Sequence, residues 1–200
     1  MKMNDYTSWR DLVLEWLQEN VSSHRLQHIL GVEQTCIDLA ASYQVDPIKA
    51  GKAGLLHDLA KFFSSKKLLR MAKKNKIAID PICKNNPHLL HADISAIVAQ
   101  KEFAIADPEI LEAIANHTLG NPGMSKLSCI VFIADAIEPN RGNQSELQAL
   151  RNIATQNLYQ CTWKTSDYSL KHLINTHKTI HPRTILTRNW ALKKTKKKKI

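Results

Sequence analysis

The sequence predicts an all-α, single-domain helical bundle, and three observations predict it. Apolar residues recur at three- and four-residue spacing almost throughout, no stretch sustains the alternation of a half-buried strand, and helix-start signals such as Asp46-Pro47 and Asp107-Pro108 punctuate the chain. Two hundred residues suffice for one substantial core. One domain is expected over residues 1–192, with 193–200 a disordered, lysine-rich tail.

The first helix is predicted from about Tyr6 to Glu19, with Trp9, Leu12, Val13, Trp16 and Leu17 on one face. Ser22 or Ser23 can cap a long second helix carrying Leu26, Ile29, Leu30, Val32, Ile37 and Leu39. Asp46 caps the next, Pro47 fits its first position, and its end is placed near Ala60. Ser64 or Ser65 opens a short helix to about Lys74, and Asp80-Pro81 with Asn85-Asn86-Pro87 marks a long turn region. A helix from His88 or Leu89 to about Lys101 follows, then one from Asp107-Pro108 to His117, broken by Gly120-Asn121-Pro122-Gly123. Ser125 starts a strongly apolar helix that stops at Glu138-Pro139. Helices over Ser145–Gln160 and Ser166–Thr179, and one after His181-Pro182, complete the chain.

A net charge of +10 suggests a nucleic-acid surface until it is located. Six lysines, from Lys193 to Lys199, lie in the last eight residues, and subtracting them leaves +4. That bias suits a pocket for polyanionic substrates and does not require nucleic acid as a partner. Cys36, Cys83, Cys129 and Cys161 form no CxxC pair, and the N-terminus is polar where a signal peptide needs an apolar stretch, so a cytoplasmic location is expected. No apolar run approaches the length of a membrane span.

The chemistry centres on His57-Asp58 within the apolar run Ala53 to Ala60. Burying an imidazole beside a carboxylate is costly unless each is paired, and a divalent cation pairs both. Alone, the dipeptide is read equally well as a satisfied structural pair. His28 among Leu26, Ile29 and Leu30, and Asp135 between Ile133 and Ile137, are further polar residues in apolar helical runs. Imidazole and carboxylate together suit zinc, iron, manganese, nickel and cobalt. His91 and His117 raise the count from one metal to two, and Asp58 can bridge them. Such a pair would activate water and neutralise charge on a phosphoryl group. Arg25, Lys61 and Arg141 stand beside these residues, as phosphate contacts or as solvated surface; Thr118 and Gly120 either shape the site or serve the turn. His24, His88, His172 and His177 are read as surface or satisfied polar residues, and His181 as a helix start or a nucleotide contact.

The stretches Arg25-Leu-Gln-His28-Ile-Leu-Gly31, Gly54-Leu-Leu-His57-Asp58-Leu-Ala-Lys61, Leu90-His91, Asn116-His117-Thr118-Leu-Gly120, Met124-Ser-Lys-Leu127 and Ala134-Asp135-Ala-Ile-Glu138-Pro139-Asn-Arg141 together resemble the HD-domain proteins, and among them the YqeK type of symmetrical bis(5′-nucleosyl)-tetraphosphatase. The resemblance covers nearly the full chain. It implies an HD-type bundle in which His28, His57, Asp58 and Asp135 hold one metal, and Asp58, His91 and His117 a second. The candidate catalytic residues are His57 and Asp58, and the candidate substrate contacts, by their position beside these stretches, are Arg25, Lys61, Thr118, Gly120 and Arg141. The expected cofactors are two divalent ions, often iron, with manganese, cobalt or nickel also fitting. The expected substrate is a dinucleoside polyphosphate, diadenosine tetraphosphate cut to two ADP, and the expected assembly is a homodimer. The alternatives are another nucleotidase or phosphodiesterase of the same superfamily, or a nucleic-acid-binding module using the basic tail.

Overall fold

A computed structural model describes residues 3–196. Among them are eleven α-helices and no strand, as the periodicity predicts. They are α1 (Met3–Asn20), α2 (Ser23–Tyr43), α3 (Pro47–Leu56), α4 (Ser65–Lys74), α5 (Pro81–Asn85), α6 (His91–Glu102), α7 (Pro108–Asn116), α8 (Lys126–Ile137), α9 (Ser145–Ala154), α10 (Leu158–Asn175) and α11 (Pro182–Lys196). Short 3-10 turns at Pro87–Leu90 and Pro139–Arg141 precede α6 and follow α8.

The helix starts are set by side-chain caps. Ser22 accepts from the Arg25 amide, Ser64 from Lys67 and Ser125 from Ser128, which decides between the neighbouring serines left open at the first two sites. Asp46, Asp80 and Asp107 each cap a helix whose first residue is proline. Asp80 does so within the stretch read as a turn, where α5 forms a single short helix.

The core is built around α8. Its residues Leu127 to Ala134 are all buried, as expected of a helix apolar on every side. α2, α7, α9 and α10 pack against it, with α3 laid on α2 and α11 on α10. This arrangement brings α2, α3, α6, α7 and the end of α8 around one interior point, where the polar residues of these helices meet.

Several boundaries differ from expectation: α1 begins at Met3 where about Tyr6 is predicted, α6 at His91 where His88 or Leu89 is, and α10 ends at Asn175 where Thr179 is. The break before α10 falls at residues 155–157, not after Gln160, because Asn157 accepts from the Gln160 amide and caps α10 there. α3 ends at Leu56, four residues before Ala60, and the chain continues through turns in which Leu59, Lys61 and Phe63 each donate to the carbonyl three residues back. α11 carries on through Lys193, Lys194 and Lys196, so these members of the expected disordered tail are helical; 197–200 lie outside the described residues. Among the described residues no helix is long and apolar enough to cross a membrane, and all four cysteines are buried and unpaired.

Candidate metal centre

Three of the histidines use one local device. His57 follows α3, His91 begins α6 after a 3-10 turn, and His117 follows α7. Each has its Nδ1 beside the carbonyl three residues earlier: Gly54 at 2.7 Å, His88 at 2.6 Å and Ile114 at 2.8 Å. A carbonyl can only accept, so Nδ1 carries the proton and the Nε2 lone pair is left facing inward. At His57 this bond lies where α3 gives way to turns. His28 lies inside α2 and is oriented differently, with Nδ1 donating to Glu138 Oε1 at 2.9 Å.

The inward nitrogens converge on Asp58. Its Oδ1 lies 3.2 Å from His91 Nε2 and 3.5 Å from His117 Nε2, and its Oδ2 lies 3.5 Å from His57 Nε2 and 4.0 Å from His28 Nε2. Asp135 Oδ1 completes the second side, 3.1 Å from His28 Nε2 and 3.8 Å from His57 Nε2. The one carboxylate therefore faces two groups, His28, His57 and Asp135 on one side and His91 and His117 on the other. All six residues predicted as ligands meet here, and all but Asp135 are buried.

Lone pairs facing carboxylate oxygens repel unless a cation stands between them. His28 Nε2, His57 Nε2 and Asp58 Oδ1 are buried without a hydrogen-bond partner, and each would be satisfied by a metal ion. His28, His57 and Asp58, and separately Asp58, His91 and His117, are close enough to hold one ion each. The electrostatics agree. Burial pushes the His57 imidazole down to about 3, so it is neutral at physiological pH. Burial works to raise the carboxyls of Asp58 and Asp135, but positive charge and hydrogen bonds from the imidazole side, with the Arg141 guanidinium beside Asp135, outweigh it and hold both well below the usual range; a cation standing among the imidazoles acts in the same sense. Neutral nitrogen donors around two anionic carboxylates form a set suited to a divalent cation.

Four of the five predicted substrate contacts border this centre. Arg25 Nη1 donates to Asp58 Oδ2 at 2.9 Å, Arg141 Nη2 to Asp135 Oδ1 at 2.6 Å, and Lys61 Nζ to His91 Nε2 at 3.3 Å. Thr118 Oγ1 lies 3.1 Å from His91 Nε2 and 3.0 Å from His117 Nε2. Gly120 is not brought in. It is buried at φ +67°, a Cβ there would meet Thr187 Cγ2 at 2.4 Å, and its carbonyl accepts from Arg183 Nε, so it serves the turn and the docking of α11.

A cavity of about 740 Å³ opens beside Asp135, Thr118 and Arg141. His88, His172 and His177, read from sequence without a role, line it. His181 also borders it, but both its nitrogens are engaged: Nε2 donates to Asp80 Oδ2 at 2.8 Å and Nδ1 accepts from the Arg183 amide at 3.1 Å. It starts α11 and ties it to α5.

Sequence reasoning missed Glu138. The residue is buried, its Oε1 fixes the His28 ring, and its Oε2 is held by the backbone and side-chain nitrogens of Asn140 at 2.7 and 2.9 Å. Gly31 leaves the room, since a Cβ there would stand 2.3 Å from Oε2. The available signal was an acidic residue closing an apolar helix before proline. Glu138→Gln should lower divalent-metal affinity by roughly 10–100-fold, the usual cost of losing a ligand's supporting partner, as read by metal titration. An unchanged affinity would remove Glu138 from the site.

The HD-domain family profile matches residues 25–140. A protein of Bacillus subtilis named bis(5′-nucleosyl)-tetraphosphatase, symmetrical, is 33% identical over 92% of this chain and 97% of its own length. A relative of the same name from Halalkalibacterium halodurans is 35% identical with the same coverage of both chains. A crystal structure from Clostridium acetobutylicum, described as a predicted HD superfamily hydrolase involved in NAD metabolism, superposes with a TM-score of 0.88 at 34% identity, covering 92% of this chain and 97% of that one. The profile spans the stretch from Arg25 to Asn140 that supplies every residue of the cluster, and the chain belongs to the HD-domain family.

Proposed function

We propose that this protein is a symmetrical bis(5′-nucleosyl)-tetraphosphatase that hydrolyses diadenosine tetraphosphate to two ADP. The observation that carries the reading is Asp58, one carboxylate set between two groups of inward-facing imidazole nitrogens beside a cavity large enough for a nucleotide. Full-length relatives with this name support the substrate.

His28, His57, Asp58 and Asp135 would hold one ion, and Asp58, His91 and His117 the other. When bound, two divalent ions supply an activated water and neutralise charge developing at phosphorus. Iron is the ion we infer, and manganese, cobalt and nickel suit the same ligand types. The chain's own residues do the rest. Nδ1 bonds hold each imidazole at a fixed angle, so no reorganisation is required as charge develops. Arg25, Lys61 and Arg141 place cationic groups at the rim, where they orient a polyphosphate by charge-assisted hydrogen bonds. Thr118 puts a hydroxyl between the paired histidines and the cavity. A homodimer in the cytoplasm belongs to the same reading, and buried unpaired cysteines fit a reducing compartment.

The test is hydrolysis of diadenosine tetraphosphate by protein loaded with iron or manganese, with products separated by chromatography. ADP as sole product is expected. AMP with ATP, or no turnover while simple nucleotides are cleaved, would replace this reading with a broader nucleotidase.

A further inference from the structure

Two surfaces beside the metal centre carry none of its candidate ligands. The first is the far wall of the cavity, built from α10 and the segment leading to α11. Tyr168, His172 and Leu173 present one face of α10 to it, spaced four and five residues apart, and His177 and Lys178 follow. Tyr168 is half-buried, and its hydroxyl makes no hydrogen bond among the described residues.

The second is Phe62, 54% exposed, in the turn just after Lys61. The Arg25 guanidinium lies 5.9 Å from its ring centroid while also holding Asp58, and the Arg25 Nε is buried without a hydrogen-bond partner. Arg25, Lys61 and Phe62 all lie outside the cavity lining. An exposed phenylalanine is ordinary by itself. One coupled through its neighbours to both sides of the metal cluster is placed to meet substrate.

We propose that these surfaces are two unequal nucleoside stations. At the cavity a base packs against Tyr168 and His172; at the other station the second base stacks on Phe62, with the polyphosphate running past Arg141, Thr118, Lys61 and Arg25. The proposal rests on the tetraphosphatase reading and deepens it. A base within a cavity is contacted on several sides, whereas a base on Phe62 gains one stacked face and keeps the other in water. One nucleoside is therefore read closely, and the other is accepted with little discrimination.

The test is calorimetric binding of two uncleaved probes, a methylene-bridged diadenosine tetraphosphate and ADP, to metal-loaded wild type, Phe62→Ala, Tyr168→Leu and His172→Ala, with KM for diadenosine tetraphosphate measured alongside. Tyr168→Leu keeps apolar bulk, and His172 is exposed, so the pair guards against a folding defect in either. Loss of one stacked base corresponds to about fivefold or more in affinity. Phe62→Ala is expected to weaken the bridged probe about fivefold more than it weakens ADP. Tyr168→Leu and His172→Ala are expected to weaken both probes alike, with KM rising more than kcat falls. Equal effects of Phe62→Ala on the two probes, or no effect of either cavity variant, would overturn the stations. Wild type that binds the bridged probe with this pattern but fails to yield ADP would keep the stations and sink the tetraphosphatase reading.

Discussion

Replacing Asp58 with asparagine should lower hydrolysis by about 10³-fold or more and remove bound metal, with the helical fold retained. Both carboxylate oxygens are committed, Oδ1 towards His91 and His117 and Oδ2 towards His57 and His28. Asparagine has the same shape but offers one neutral oxygen and an amide that donates, so one group of imidazoles loses its anion and faces an N–H instead. Several kcal/mol of charge stabilisation at phosphorus goes with the ions, and each 1.4 kcal/mol is a factor of ten in rate. Metal content by elemental analysis, turnover and far-UV circular dichroism separate this loss from unfolding. Glu146→Gln, which changes only an exposed pair with Lys171, should leave all three unchanged. An Asp58→Asn protein that keeps its full metal content would remove Asp58 from the bridging position.

The parts legible in the sequence are those set by short-range rules. Capping aspartates and serines act over two or three residues and mark helix starts wherever they stand, which is why Asp46, Asp107 and Ser125 sit where expected. The cluster was legible for a related reason: polar side chains in apolar helical runs need a partner, and the inward nitrogens of His28 and His57 and Oδ1 of Asp58, which no protein group satisfies, would find it in a cation. Partnerships across the fold were not legible. Glu138 acts on His28 across 110 positions in sequence, and no local pattern shows that Gly31 leaves it room. The end of α3 was misplaced because the apolar run continues past it: Leu59 and Ala60 are buried although the backbone there has already left the α-helix for turns, and periodicity does not tell the two apart. His172 and His177 are surface residues as expected, but that they line a cavity was not legible, because cavities form between helices and periodicity describes one helix at a time.

Metal removal should have the second large effect, on stability. The six residues come from α2, α8 and the ends or starts of α3, α6 and α7, so ions held by them tie together elements far apart in sequence. Without ions, the inward nitrogens of His28 and His57 and Oδ1 of Asp58 are buried without a partner, a penalty that bound ions reverse. A ligand that binds only the folded state stabilises it by about 4 kcal/mol at a thousand times its dissociation constant. For a chain of this size each kcal/mol is worth about 2–4 °C in melting temperature. Chelator-treated protein should therefore melt about 8–16 °C lower than protein resupplied with manganese or iron at that ratio, by differential scanning calorimetry. The same metal addition should leave Asp58→Asn nearly unmoved, since the shift depends on the bridging carboxylate and not on ions bound elsewhere. An equal shift in wild type and variant would place the stabilising ions at another site and detach the cluster from metal binding.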